Sequence, residues 1–407
     1  MKKLLAIVGA IGLTGTAATT VVSCGTTDTF DIIFIPSNNA TEVINTVKPL
    51  EGKLQAEMKA RAEERGEKFT KKVKISTSTN YEAAGSTLAA GKADLAFLPV
   101  GTYNKNKGTL KEDRTYDKLG ILLESSRDAY RVEAGMPDGS ITQSDSLKYA
   151  KNYNELLNIS KEENITKEQI REKYLDTKEK STYYRSYVYV NNELLKKQGI
   201  DMSKISKDDE YQDALRKLIL PDASGNEAKG NVNFSVSKSK TSSAGTIYPL
   251  MWLKNVAGFN DEQVKYIYTK SNKQVDYPSA AQYVSNTSNG FAVGFSDIRY
   301  EIKDEADSIK AFKNTSVIGM SDKIINDGIM YSRKRVNDDK VIKDLRDSFK
   351  DLISKEENKE IFNVYNHADY IGPKEEQTSI EWEAALDKEI TITSVEAEKI
   401  ETLIKDL

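Results

Sequence analysis

Cysteine and histidine are almost missing from this chain of 407 residues, which has one of each. A lone cysteine excludes an intrachain disulfide framework and any cysteine-cluster metal site. A lone histidine excludes histidine-rich metal centres and leaves little room for imidazole catalysis. Net charge is also nearly absent: 59 basic residues face 62 acidic ones, for a formal charge of −3. There is therefore no basic footprint for nucleic acid. After the N-terminus no apolar run is long enough to cross a membrane. With 38% hydrophobic and 30% charged residues, the chain is too apolar for disorder. No H-E-x-x-H, G-x-S-x-G or EF-hand pattern is present. These absences favour a binding protein over an enzyme, with no cofactor expected.

The first residues carry an address. Lys2 and Lys3 precede the apolar run Leu4 to Leu13, which is too short to span a bilayer and has the form of a signal peptide. It ends at Val21-Val22-Ser23-Cys24-Gly25, which resembles a bacterial lipobox with Val21 in place of the usual leucine. The expectation is that residues 1–23 are removed, that Cys24 carries diacylglycerol, and that residues 24–29 form a tether. Loss of Lys2 and Lys3 takes the charge from −3 to −5. The mature protein is then held on the outer face of the cell membrane through its lipid alone.

Beyond the tether, Phe30 to Pro36 reads as a buried strand and residues 41–65 as a helix. Val73-Lys74-Ile75 is a second strand, Asn80-Tyr81 opens an alanine-rich helix, and Leu95 to Leu98 is a third strand. Strand–helix alternation predicts an α/β sheet with parallel strands. A similar unit returns as the helix from Tyr277 followed by the strand Phe291 to Phe295, which suggests two α/β lobes. Residues 131–182 are rich in Lys, Glu and Asn and read as a polar surface insertion with solvated helices. Helical patterns return at 338–362 and from Ile380 to Leu407.

The stretch Gly85 to Lys92 (GSTLAAGK) imitates a phosphate loop but spaces its glycines one residue too far and lacks the Mg²⁺-binding hydroxyl. Gly91 is instead expected to cap a helix. Thr241-Ser242-Ser243 is more informative, lying between the strand Val232 to Val236 and the apolar helix Ile247 to Val256. Hydroxyls, free backbone N–H groups and the positive helix end together suit an oxyanion, and they equally suit plain helix capping. Tyr81 and Tyr103 stand where strands give way to loops, where a hydroxyl can donate without bringing charge. Asp297 ends a strand of the second lobe. His367 has no nucleophile near it and reads as structural.

Taken in order, several stretches resemble the substrate-binding proteins of phosphate, phosphite and phosphonate ABC transporters, the PhnD-like family, in its Gram-positive and mollicute form. They include Ile35-Pro36-Ser37, Ser78 to Ala84, Gly91 to Leu98, Ser126-Arg127-Asp128 and Tyr183-Tyr184-Arg185. Thr241 to Leu250, Gly294 to Asp297, Val317 to Gly319, Asn326-Asp327 and Val364 to Tyr370 complete the series. The resemblance implies a type II periplasmic-binding-protein fold, with two α/β lobes joined by a two-segment hinge. It implies that residues 30–187 begin lobe one, 188–315 form lobe two, and 316–407 return to lobe one. The hinge would lie at Tyr184 to Val190 and Ser316 to Gly319.

For the site, the resemblance implies that Thr241, Ser242 and Ser243 hold the oxyanion and that Tyr81 and Tyr184 complete the shell. Asp297 would stand at the ligand's far end, and Ser37, Tyr103 and Arg127 nearby. Lys238 and Lys240 are close enough in sequence to add charge. The histidine some members place before this aspartate is absent, and Pro278-Ser279 stand there instead. The implied function is capture of a phosphorus oxyanion, by a monomer, for a permease and ATPase. The alternatives are a larger phosphorylated nutrient such as thiamine pyrophosphate, or an adhesin on a non-binding scaffold.

Overall fold

The computed structural model describes residues 28–35, 40–78, 80–137, 140–159, 162–295 and 297–407. The expectations for Cys24 and Ser37 lie outside the described residues.

The strands in chain order are β1 (Thr29–Phe34), β2 (Lys72–Thr77), β3 (Leu95–Leu98), β4 (Leu119–Tyr130), β5 (Leu175–Ser181), β6 (Tyr183–Tyr184) and β7 (Ser186–Asn191). They continue with β8 (Phe234–Ser237), β9 (Asn272–Gln274), β10 (Phe291–Phe295), β11 (Thr315–Met320), β12 (Ile324–Ile325), β13 (Gly328–Ser332) and β14 (Asp369–Ile371). One sheet runs β14-β4-β13-β3-β1-β2, with β5 on the end of β4; a second runs β11-β7-β10-β8-β9.

Within both sheets the same order appears. In the first, β1 lies parallel between β2 and β3, and the antiparallel β13 separates β3 from β4. In the second, β8 lies parallel between β9 and β10, and the antiparallel β7 separates β10 from β11. The helices Tyr81–Ala89 and Tyr277–Asn286 therefore occupy equivalent places, leading into the equivalent strands β3 and β10. Both open on a side-chain cap: Asn80 accepts from Ala83 N at 2.7 Å and Asp276 from Ser279 N at 2.8 Å. Gly91 closes the first of these helices at φ +73°, with Gly91 N bonded to Leu88 O and Lys92 N to Thr87 O. That paired bonding is a Schellman C-cap and accounts for the glycine without a phosphate.

Strands buried on both faces read as unbroken apolar runs; Leu95, Ala96, Phe97 and Leu98 are all buried. The flanking helices bury one stripe each. Leu50, Leu54, Met58 and Ala62 do so in Leu50–Glu64, and Ile342, Leu345, Phe349, Leu352 and Ile353 in Asp339–Ser354.

Three expectations about organisation need correction. Segment 131–182 is not a solvated insertion of lobe one. Its helix Gln143–Leu156 packs Leu147, Tyr149, Ala150 and Tyr153 into the core of lobe two. Tyr149 shares a hydroxyl bond of 2.6 Å with Tyr187, and Asn154 bonds both the N–H and the carbonyl of Val317 on β11. The buried face is built from tyrosines, which do not register as an apolar stripe in a Lys/Asn-rich stretch.

The connection between the lobes is also displaced. Residues 187–190 and 317–320 are buried in the sheet of lobe two, where β7 and β11 pair. The strands that cross are the ribbon β6–β12, with Tyr184 opposite Ile324 and Tyr183 opposite Ile325. Asn326 pins this ribbon to lobe one, donating to Ser125 O at 3.0 Å and Ser181 O at 2.9 Å.

The last helix, Ser379–Ile404, does not belong to lobe one alone. Trp382, Leu386 and Ile390 join a core of lobe one, whereas Ile400 and Ile404 join that of lobe two. Ion pairs Lys107–Asp387 (2.6 Å) and Lys105–Glu401 (2.5 Å) bind it to the first lobe, and Lys240 donates to Lys405 O at 3.1 Å from the second.

Glu124 on β4 is held near this helix, and burial, reinforced by the charge of Glu389, pushes its carboxyl up to about 8. A folded pKa above the unfolded value means that folding takes up a proton between about pH 4.5 and 8, so stability falls as pH rises through that window. Glu124→Gln is expected to stabilise by roughly 1–3 kcal/mol at pH 7.5, after allowance for solvent screening, and by little at pH 4.5. Denaturant titrations at the two pH values check this. An equal gain at both would mean that the carboxyl is ordinary.

Candidate functional site: an interlobe cleft

Between the lobes lies a cavity of about 600 Å³. Its walls include Tyr81 from lobe one, Thr241, Ser242, Ser243 and Tyr277 from lobe two, and Arg127, Tyr184 and Asp327 from the region where the chain crosses. The fold thus brings together six of the residues expected from sequence: Tyr81, Arg127, Tyr184, Thr241, Ser242 and Ser243.

The three hydroxyls stand at the start of a helix whose first turn, Ser243–Ile247, is wide. Ile247 N reaches back to Ser242 O at 3.0 Å. Ser242 Oγ accepts from Gly245 N at 3.2 Å. The capping reading of this serine is therefore realised, but a hydroxyl that accepts in a cap still has its own proton to donate. Lys240 points away, to the carbonyls of Lys405 and Leu407 at the chain's end, so it adds no charge to the cluster by direct contact.

With Arg171 and Lys303, Arg127 is one of three cations on the cavity wall. Its guanidinium lies 4.8 Å from the Tyr184 ring centre and 5.1 Å from that of Phe295. Asp327 is a distant partner at 3.9 Å, and the buried Arg127 Nε has no hydrogen-bond partner among the described residues. Cation–π contact with both rings, which stand nearly perpendicular to each other at 82°, holds the guanidinium in place with its Nε unpaired. Burial pushes the Asp327 carboxyl up, and Arg127 opposes that shift. Burial likewise raises the hydroxyls of Tyr81 and Tyr184 and takes Tyr277 to about 12, with Ser242 and Arg127 pulling the last of these back. All three phenols stay protonated at neutral pH and serve as uncharged donors.

Two expected site residues are placed elsewhere. Tyr103 is 1% exposed, packed in a lobe-one core with Lys107 over its ring, and lines neither this cavity nor the smaller one behind it. Asp297 is fully committed: Arg299 Nε and Nη2 meet its two oxygens at 2.9 and 2.6 Å, and Tyr153 donates to it at 2.8 Å. It faces only the smaller cavity. An aspartate at the end of a strand looks the same in sequence whether its partner is a ligand or an arginine two residues on.

Sequence reasoning did not single out Tyr277, Asp327 or Tyr300, all of which line the main cavity. Tyr277 was within reach, because the repeat that aligns it with Tyr81 places both tyrosines at the first position of equivalent helices. For Tyr300 no local signal exists. Among the described residues, no group of His, Cys, Asp and Glu is arranged to hold a metal ion.

No protein-family model matches the chain, and no curated protein sequence does. Solved structures do. The Mycoplasma hyorhinis protein Mh-p37, described as a candidate thiamine pyrophosphate transporter, superposes with TM-score 0.62 at 14% identity, over 88% of this chain and 98% of that one. XAC2383 from Xanthomonas citri, bound to ATP, gives 0.52 at 11% identity over 93% and 99%. PhnD1 from Prochlorococcus marinus, in complex with methylphosphonate, gives 0.50 at 14% identity over 90% and 98%. At these identities the likeness is one of architecture. With the two sheets of matching strand order and the cleft between them, it assigns the chain the periplasmic-binding-protein fold of two α/β lobes.

Proposed function

We propose that this protein is the extracytoplasmic solute-binding subunit of an ABC importer and captures phosphate-, phosphite- or phosphonate-type oxyanions in the interlobe cleft. The observation that carries the proposal is the meeting, in one cavity, of the Thr241–Ser243 hydroxyls with Arg127, Tyr81 and Tyr184. Neutral donors at a helix start, with the Arg127 guanidinium, supply hydrogen bonds to several oxygens of a tetrahedral anion. Asp327, its carboxyl raised by burial, accepts from a P–OH or N–H group. The solute is held without chemical change and passed to a permease driven by an ATPase.

A second reading, a larger phosphorylated nutrient such as thiamine pyrophosphate, is favoured by the cavity volume of about 600 Å³. That is within the range of ordinary small-molecule pockets and leaves space around a lone tetrahedral anion. Native mass spectrometry of the purified protein, followed by titration calorimetry with phosphate, methylphosphonate and thiamine pyrophosphate, tests both readings. No binding of any phosphorus compound would refute them.

Closure of the lobes about the β6–β12 ribbon is part of the proposal. Small-angle scattering is expected to show a smaller radius of gyration with saturating ligand than without. An unchanged radius with calorimetric binding would remove the clamp. Membrane attachment is proposed to rest on Cys24, because it directly follows the charged and apolar signal pattern that begins at Lys2. Cys24→Ser is expected to abolish anchoring, giving released or unprocessed protein; a variant that stays membrane-bound at the mature mass would disprove the anchor.

A further inference from the structure

Behind Arg127 and Tyr184 the cleft continues into a second cavity of about 120 Å³, which shares Arg127, Arg171, Tyr184, Glu301 and Asn366 among other residues with the larger one. We propose that it is a second compartment of the ligand site, which takes an uncharged, hydrogen-bonding ring or side group of the solute against His367. The proposal rests on the phosphorus-ligand reading only for the identity of the other end of that solute.

Three acid–base pairs on the walls of this compartment are closed among themselves, whereas Arg127, Arg171 and Glu301, which it shares with the larger cavity, stand where the two meet. Glu133 pairs with Arg185 at 3.0 Å, Asp128 with Lys180 at 2.5 Å, and Asp297 with Arg299 at 2.6 Å. Tyr130 and Tyr174 line it as a stacked pair with ring centres 5.2 Å apart, next to Tyr187. Walls of tyrosine rings beside these closed pairs suit a flat neutral group, with Arg127 and Arg171 left at the junction for the charged end of the solute.

His367 supplies the polar contact. The ring is 5% exposed, stacked on Phe97 at 6.2 Å and set edgewise to Tyr370 at 5.6 Å, so its orientation is held by packing. Nδ1 shares a hydrogen bond of 3.0 Å with Tyr370 Oη, whereas the buried Nε2 has no partner among the described residues. A buried polar atom left unpaired is uncommon and calls for a reason. Burial and the charge of Arg127 both depress the imidazole pKa well below its ordinary value, so the ring is neutral at physiological pH. A neutral imidazole fixed on one side by Tyr370 offers one hydrogen bond and no charge. That suits an uncharged donor or acceptor and brings no cation of its own to hold the phosphoryl end.

Because His367 is the chain's only histidine, one imidazole reports on this compartment. The test is ¹⁵N spectroscopy of histidine-labelled wild-type protein, titrated with inorganic phosphate, thiamine pyrophosphate and uridine 5′-monophosphate, and with unphosphorylated thiamine and uridine. The expected result is a clear displacement of the Nε2 resonance by at least one ring-bearing compound and none by phosphate. His367→Phe, which keeps the aromatic packing, should then weaken that compound roughly tenfold and leave phosphate affinity within about twofold. Displacement by a ring compound lacking phosphorus would support the compartment even if every phosphorus ligand failed. If none of the panel moves the Nε2 resonance, the compartment is refuted, whatever calorimetry shows for phosphate.

Discussion

A Thr241/Ser242/Ser243 triple alanine variant is expected to lose at least a hundredfold in affinity for whichever of phosphate, methylphosphonate and thiamine pyrophosphate binds the wild type best. Each hydrogen bond to a charged group is worth roughly 1.5–3 kcal/mol. A single Ser242→Ala change should therefore cost about ten- to a hundredfold, and the triple change more, although backbone N–H groups and Arg127 remain. Because Ser242 Oγ also caps its helix through Gly245 N, a loss of binding alone would not separate ligation from capping. Ser242→Asp separates them. Aspartate caps as well as serine and favours the positive end of a helix, yet it sets a negative charge beside the bound anion. The expected result is unchanged thermal stability with binding abolished. Calorimetry showing wild-type affinity in a folded triple variant would reduce the motif to a helix start and move the ligand elsewhere.

The second large effect is on stability. Arg299 is 1% exposed and Asp297 2% exposed, and their bidentate pair is completed by Tyr153 on Asp297 and by Thr315 O, 3.3 Å from Arg299 Nη1. Arg299→Met would leave a buried carboxylate without its cation, which typically costs about 3–5 kcal/mol. Asp297→Asn combined with Arg299→Met removes both charges and should recover a substantial part of that loss. Denaturant unfolding of the two single variants and the double variant measures the coupling. If Asp297 served the ligand instead, Asp297→Asn would fold with near-native stability and bind poorly; the closed bond network around it predicts the reverse order of effects.

Much of the first lobe was legible in the sequence because its signals are local. β1 and β3 are short, largely apolar runs and β2 alternates buried Val73 and Ile75 with exposed lysines; helices with regular buried stripes separate them, and Gly91 marks a helix end through its own backbone conformation. The hydroxyl cluster at 241–243 was legible for the same reason, since a strand, three hydroxyls and an apolar helix follow one another within a few turns. The repeat that pairs Tyr81 with Tyr277 is visible in the sequence too, at the first position of equivalent helices.

What the sequence determined by itself is the near-absence of thiol and imidazole chemistry, the α/β alternation, and the local motifs that can cap a helix or hold an anion. Only the tertiary structure decided which motifs share a cavity and which side chains are already taken. Tyr103 and Tyr81 follow similar local patterns, yet one is sealed under Lys107 and the other faces the cleft. Asp297 was claimed by Arg299, His367 was seated against Phe97 on the wall of the smaller cavity, and segment 131–182 was drawn into lobe two through tyrosines. The physical reason is the same in each case. Partners more than a hundred residues apart, such as Tyr153 and Asp297, are chosen by packing and by the need to satisfy every buried polar group. Local pattern does not contain that information.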